Sequence, residues 1–179
     1  LAGLLLDFPV GQVRVHNGLR TRYKVRVREY VDSDLAYWEV KQKTSKGRTV
    51  KCRLRAPDLA VPCEKLVDEF IDEHVPVNAQ ALEPKLWNTF LRMTLVSTCR
   101  AERLTLDVNL AFGRDDVRVA LPGIAVAEVK REQSSQRSDF SQQMRWLGIR
   151  SSSFSKYCAG VYLLYGDEVK VNNFKAAMR

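Results

Sequence analysis

Five cations recur at every second position in "RTRYKVRVREY": Arg20, Arg22, Lys24, Arg26 and Arg28. Between them stand Thr21, Tyr23, Val25, Val27 and Glu29. In an extended strand successive side chains point to opposite faces, so this spacing puts all five charges on one side. Like charges at that density cost energy unless water, carboxylates or an anionic ligand compensate them. Guanidinium groups bind phosphate oxygens in bidentate fashion and Lys adds a movable point charge, so a face of this kind suits a polyanion.

The same alternation returns further along. Tyr37, Glu39, Lys41 and Lys43 share a face, as do Thr49, Lys51, Arg53 and Arg55, with Val50, Cys52 and Leu54 opposite. "ERLTLDVNLAF" sets Arg103, Thr105, Asp107 and Asn109 against Leu104, Leu106, Val108 and Leu110. "IAVAEVKRE" aligns Ile124, Val126, Glu128 and Lys130, and the tripeptide "EVK" occurs at both Glu39–Lys41 and Glu128–Lys130. The two Glu residues have two explanations, neutralisation of neighbouring cations or ligation of a divalent metal that bridges phosphates. A charged strand face points either to water or into a wet lumen. Its recurrence on several strands shifts the balance toward the lumen.

Other chemistries find little in the sequence. There is no P-loop, no G-x-G-x-x-G, no H-E-x-x-H and no G-x-S-x-G. His16 and His74, the two histidines, share no obvious partner and read as surface or structural residues. "SSSFSK", Ser151–Lys156, is loop by composition, with Ser155 and Lys156 at the mouth of a following apolar strand. Nucleic-acid binding needs aromatic platforms among the cations, and the basic region holds only Tyr23, Tyr30, Tyr37 and Trp38. Tyr23 falls on the face opposite the charges.

The elements that must position these residues follow from period and punctuation. Strands are expected at Arg20–Val31, Tyr37–Lys43 and Thr49–Arg55, with turns at Asp32–Asp34 and Ser45–Gly47. A helix from Pro62 to His74 carries Leu66, Val67, Phe70 and Ile71 as its apolar stripe. Strands follow at Phe90–Val96 and over "ERLTLDVNLAF" and "IAVAEVKRE". A second helix, capped by Ser138 or Asp139, ends at Gly148. Ala159–Tyr165 reads as a final strand. The fold expected is α+β, an antiparallel β-barrel with flanking helices, in one domain over 1–179.

Bulk properties agree with a globular chain whose charge is local. The 179 residues are 45% hydrophobic and 28% charged, with a net charge of +8. Arg20–Arg55 contains 12 Lys/Arg and 4 Asp/Glu, a balance of +8, while the remainder has 17 of each and sums to zero. That distribution argues for a local anion site over a generally basic coat. Cys52, Cys63, Cys99 and Cys158 have no metal-like or disulfide-framework spacing and suggest free thiols in a reducing compartment. No run approaches the roughly 20 apolar residues of a membrane span. "LAGLLL" is too short for a signal peptide, and without an initiator Met the chain reads as a fragment. A cytoplasmic location is expected.

The blocks "RYKVRVREYVDSDLAYWEVKQKTSKGRTVKCR", "FLRMTLV…ERLTLDVNLAF", "IAVAEVKRE" and "SFSKYCAG" resemble, in order, the VTC domain. This is the polyphosphate polymerase domain of the triphosphate tunnel metalloenzyme (CYTH-like) superfamily, here in its bacterial form. The resemblance covers about Val15 to Lys175. It implies a tunnel barrel that binds a nucleoside triphosphate, with ATP the expected one, and polyphosphate, using Mn²⁺ or Mg²⁺. It implies Arg26, Arg28, Arg92 and Arg103 as residues acting on the transferred phosphate. Lys24, Lys41, Lys51, Arg53, Lys130, Ser155 and Lys156 are implied as further phosphate ligands. Glu128 is implied as the metal ligand, with Glu39 a second candidate. The family's N-terminal strand, which adds a basic residue near the nucleotide, is expected to be missing from this chain. Phe90 stands where some relatives carry tyrosine. Eukaryotic relatives work in a membrane-bound complex, so a membrane-protein partner is an expectation as well.

Overall fold

The computed structural model describes residues 2–7, 22–56, 64–76, 78–131 and 138–166. Within them the chain is α+β, with antiparallel strands and three α-helices. It divides into two compact units, residues 1–88 with 113–116, and residues 89–112 with 117–179.

In the first unit, β1 (Ala2–Asp7), β2 (Arg22–Tyr30), β3 (Leu35–Lys43) and β4 (Thr49–Ala56) lie side by side in the order β4-β3-β2-β1. All neighbours are antiparallel. Two tight reversals set the register. Between β2 and β3 the chain makes a short 3₁₀ turn at Val31–Ser33 and leaves through Asp34, whose φ of 48° is left-handed. Between β3 and β4, Thr44 N–H donates to Arg48 O at 2.8 Å, and Gly47 supplies the positive φ of 77°. The strands expected from alternation are thus present. Arg20 and Thr21 lie outside the described residues, and Val31 belongs to the turn.

Alternation gives β2–β4 one apolar face, and α1 (Glu64–His74) covers it. Val25 and Val40 from the strands pack with Val67 and Ile71 of α1 and with Val75 and Ala79 beyond it. Tyr23, Trp38, Leu54 and Phe70 close around this core. Leu66, placed in the apolar stripe by spacing, is 44% exposed instead. Pro62, expected to open the helix, lies outside the described residues. With one face sealed by a helix, the other is left to the charges.

The second unit is built on β5 (Glu83–Val96), β6 (Glu102–Arg114), β7 (Val117–Leu121) and β8 (Val126–Arg131). The strands run β5-β6-β7, with β8 paired to β6. The first residues of β5 and the last two of β6 are counted with the first unit. β5 starts seven residues before the expected Phe90, and neither β1 nor β7 was signalled by the sequence. α2 (Asp139–Trp146) begins at Ser138, whose hydroxyl accepts from Ser141 N–H, and the chain leaves through Gly148 at φ 77°.

The expected final strand is a helix. α3 spans Lys156–Tyr165, and Ser155 caps it by accepting from Cys158 N–H. An apolar run of seven residues fits a buried helix as well as a buried strand, and its own period does not decide between them. Packing decides. Ala159, with Leu163 and Leu164, closes on Leu110 and Phe112 of β6, where Ala159 and Phe112 are fully buried. The alternation of β6 also breaks at Asn109, which takes a left-handed φ of 55°.

Candidate functional site

Cross-strand register turns the charged face of the first unit into a grid of three rows. Lys24, Lys41 and Lys51 form one row, Arg26, Glu39 and Arg53 the next, and Arg28, Tyr37 and Arg55 the third. Directly opposed residues on paired strands share a face, so these nine positions hold seven cations and one carboxylate. Rows along a strand lie about 7 Å apart and strands about 4.8 Å apart. In such an array each cation is within reach of several like neighbours.

Glu39 sits at the centre and holds the array together. It is 1% exposed. One oxygen takes Arg26, with Nε at 2.6 Å and Nη2 at 2.5 Å, and has Arg28 Nε at 3.8 Å. The other takes Lys51 Nζ at 2.6 Å and Arg53 Nε at 2.8 Å. Burial alone would raise its pKa, but Lys51, Arg26 and Arg28 outweigh it and lower the value to about 2. Burial, with the neighbouring Arg28, pushes the Arg26 guanidinium below its usual range against the pull of Glu39. Four cations around one carboxylate leave a net positive charge of three. Lys24 and Lys41, one row on, are exposed to solvent.

A second cluster occupies the other unit. Arg92 of β5 makes a bidentate fork to Asp107 of β6, with Nε–Oδ1 and Nη2–Oδ2 both 2.6 Å. Lys156, the first residue of α3, bonds the same carboxylate at Oδ2. Phe90 lies beneath both cations, its ring centre 5.2 Å from the Arg92 guanidinium carbon and 4.6 Å from Lys156 Nζ. Asp107 is 1% exposed. Burial would raise its pKa, yet the hydrogen bonds from Arg92 and Lys156 bring it below the ordinary carboxylate range. On the same face of β6, Arg103 pairs across to Lys130 of β8 and Thr105 to Glu128. Glu128 is half exposed and 3.4 Å from Lys130 Nζ.

The family model for the VTC domain matches residues 14–165. The chain belongs to the VTC domain family. Comparison with curated proteins and with solved structures gives no match. Membership in the VTC family points to a polyphosphate-related function for the chain.

Of the residues singled out from the sequence, Arg26, Arg28, Lys51 and Arg53 meet on Glu39, and Lys24 and Lys41 form the adjacent row. Arg92 and Lys156 meet on Asp107. Arg103, Glu128 and Lys130 share one sheet face. Ser155 has a structural task, since its hydroxyl caps α3 and so fixes where Lys156 begins. Asp107 is the residue that sequence reasoning passed over. Its signal was present: a carboxylate alternating with Arg103 and Thr105 on the charged face has the same relation to cations that Glu39 has on β3.

No helix among the described residues is long and apolar enough to cross a membrane. Cys52, Cys99 and Cys158 are unbridged, and Cys63 lies outside the described residues.

Proposed function

We propose that this VTC-domain chain transfers the γ-phosphate of a nucleoside triphosphate, ATP above all, to the end of a polyphosphate chain. The observation that carries the reading is the grid of seven cations around one buried carboxylate, in a chain of a polyphosphate-related family. A linear phosphate chain needs contacts repeated along its length, and three strands supply them row after row. The closed tunnel that the family resemblance implies belongs to this proposal. It would shield the charges from water and strengthen them.

The residues present are compatible with a divalent metal of one kind. Among the described residues no three His, Cys, Asp or Glu side chains gather into a cage. Mg²⁺-like ions bound to substrate phosphates need only one or two carboxylates and keep several waters. Glu128, half exposed on β8, suits that role. Glu39 does not, because cations hold both its oxygens. When bound, Mn²⁺ or Mg²⁺ would neutralise charge across neighbouring phosphate oxygens.

The remaining work falls to the chain's own cations. Phosphoryl transfer proceeds by in-line attack of an acceptor oxygen and depends on positioning and charge stabilisation more than on a protein nucleophile. Arg26, Arg28, Lys51 and Arg53 would hold phosphate oxygens at fixed sites. Lys24, Lys41 and Lys130 would extend the track. Arg92, Arg103 and Lys156 would meet negative charge that grows on the transferred group.

Incubation with ATP and Mn²⁺, followed by gel analysis of chain length, tests the reading. Lengthening polyphosphate is expected, with Glu128→Ala lowering the rate by about 10²–10³-fold, the loss typical of one preorganised charge site. Near-normal synthesis in Glu128→Ala would remove that residue from the metal's site. Free phosphate with no longer chains would instead make the protein a triphosphatase with water as acceptor. Metal-independent binding without turnover would make it a polyphosphate-binding module.

A further inference from the structure

The third row of the grid ends the run of charge with aromatic rings. Tyr37 occupies its centre between Arg28 and Arg55. Tyr30, two residues beyond Arg28 on β2, falls on the same face by alternation. The two rings meet edge to face, with centroids 6.2 Å apart and planes at 89°. Both side chains are only partly buried. Core tyrosines of this unit behave differently: Tyr23 lies on the opposite face, packs against the α1 core and receives a 2.8 Å hydrogen bond from Gln42.

An arginine lies over each ring at long range. The Arg28 guanidinium carbon is 5.9 Å from the Tyr30 centroid, and that of Arg53 is 5.9 Å from Tyr37. These distances stand at the outer limit of about 6 Å for a cation–π contact. Arg28 also donates to the Tyr30 hydroxyl at 3.3 Å. A phosphate chain has no use for an aromatic pair, whereas a flat π-system flanked by cations is what stacks on it. The order along β2 is then suggestive in a chemical sense: Arg26 at the Glu39 clamp, Arg28, and finally Tyr30. Four residues of strand cover about 13 Å, a span for a molecule with phosphates at one end and a flat base at the other.

We infer that Tyr37 and Tyr30 form a site for the base of the nucleoside triphosphate whose phosphates the Glu39-centred cations hold, with Tyr37 stacking on the base and Tyr30, near-perpendicular to Tyr37, meeting its edge. The inference rests on the proposed nucleotide reading and adds to it the place of the base within the first unit. It divides recognition in two. The cations bind any triphosphate, and the tyrosine pair favours one that carries an aromatic base.

Binding of ATP and of inorganic tripolyphosphate, each with Mg²⁺, to the whole chain separates the two parts. Tyr37→Leu, which keeps an apolar side chain but no ring, is expected to weaken ATP about 5- to 150-fold, the usual worth of a stacked base. Tripolyphosphate affinity should stay within about twofold, and Tyr37→Phe should retain ATP affinity, since stacking requires the ring and not its hydroxyl. Tyr30→Leu tests the second ring in the same way. The adenine H2 and H8 resonances should move upfield on binding to the native chain and lose that shift in Tyr37→Leu. Equal weakening of both ligands would overturn the inference, because the rings would then only orient Arg28 and Arg53. No weakening of either would overturn it too. Failure of the native chain to bind tripolyphosphate at all would overturn the phosphate reading beneath it, and this inference with it.

Discussion

Glu39 and Asp107 solve the same problem in the two units. Each is a buried carboxylate that lets side chains of like charge be held close together. Removing a partner from a buried ion cluster leaves uncompensated charge and costs about 3–5 kcal/mol. Glu39→Gln is therefore expected to lower the apparent Tm by about 6–20 °C in a chain of this size, as scanning calorimetry would register. The pH dependence has a definite sign. A carboxyl lowered from 4.5 to about 2 stabilises the fold above its unfolded value by about 3 kcal/mol, and that contribution is lost as pH falls toward about 2. The Tm gap between native chain and Glu39→Gln should hold from about pH 7 to about pH 5 and shrink below that. A gap that persists at about pH 2 would mean that packing, not charge, keeps Glu39 in place. Asp107→Asn removes the charge that fixes Arg92 and Lys156 but keeps the shape. Misplacing a phosphate-contacting group by about 1 Å costs on the order of 10²-fold, so phosphoryl transfer should fall about 10- to 100-fold. Unchanged kcat in Asp107→Asn would reduce Asp107 to a structural ion pair.

At the scale of elements, α3 shows how a misjudged segment changes the meaning of its residues. Read as a strand, Ala159–Tyr165 made Ser155 and Lys156 a pair at a strand mouth. As a helix, it makes Ser155 the cap and Lys156 the first residue of the helix, held to Asp107. Ser155→Ala should cost about 1 kcal/mol through the lost cap, a fall of about 2–4 °C in Tm. Ser155→Asp restores a good cap and adds a negative charge beside Lys156. Native-like Tm together with weaker tripolyphosphate binding would identify a residue next to a phosphate site, and unchanged binding would leave Ser155 with the cap alone. The strands of the grid were legible because period-two patterns survive wherever one face is packed and the other charged, as along Arg22–Tyr30 and Thr49–Ala56. Asn109 was not legible, since its left-handed backbone breaks a pattern that the letters continue through Leu110. β1 has no charged alternation, and β7, five residues with a single cation at Arg118, is too short for its pattern to stand out. Asp107 was visible as a face position but not as a clamp, because its partner Lys156 comes from a segment 49 residues away.

For the molecule as a whole, the sum of charges says little and their placement says more. The net +8 equals the balance of Arg20–Arg55 alone, and residues 22–55 of that segment carry the three strands of the grid. The Debye length is about 10 Å at 0.1 M salt and about 3 Å at 1 M. At the lower value a phosphate held by the Glu39 cluster still feels Lys24 and Lys41, one row on and about 7 Å away. At the higher value it feels only the groups in contact with it. Affinity for tripolyphosphate should therefore fall steeply between about 0.1 M and about 1 M salt, and more steeply still for longer polyphosphate that meets more rows. If Lys24 and Lys41 serve the chain as contacts, changing both to Gln should flatten the log–log slope by roughly one for each lysine that meets a phosphate. Their exposure means the variant should fold normally, so its Tm provides the control. An unchanged slope would confine phosphate binding to the cations already gathered on Glu39 and leave Lys24 and Lys41 as a solvated edge. A slope lowered for long chains but unchanged for tripolyphosphate would place that row on the path of the polymer, beyond the reach of the three-phosphate ligand.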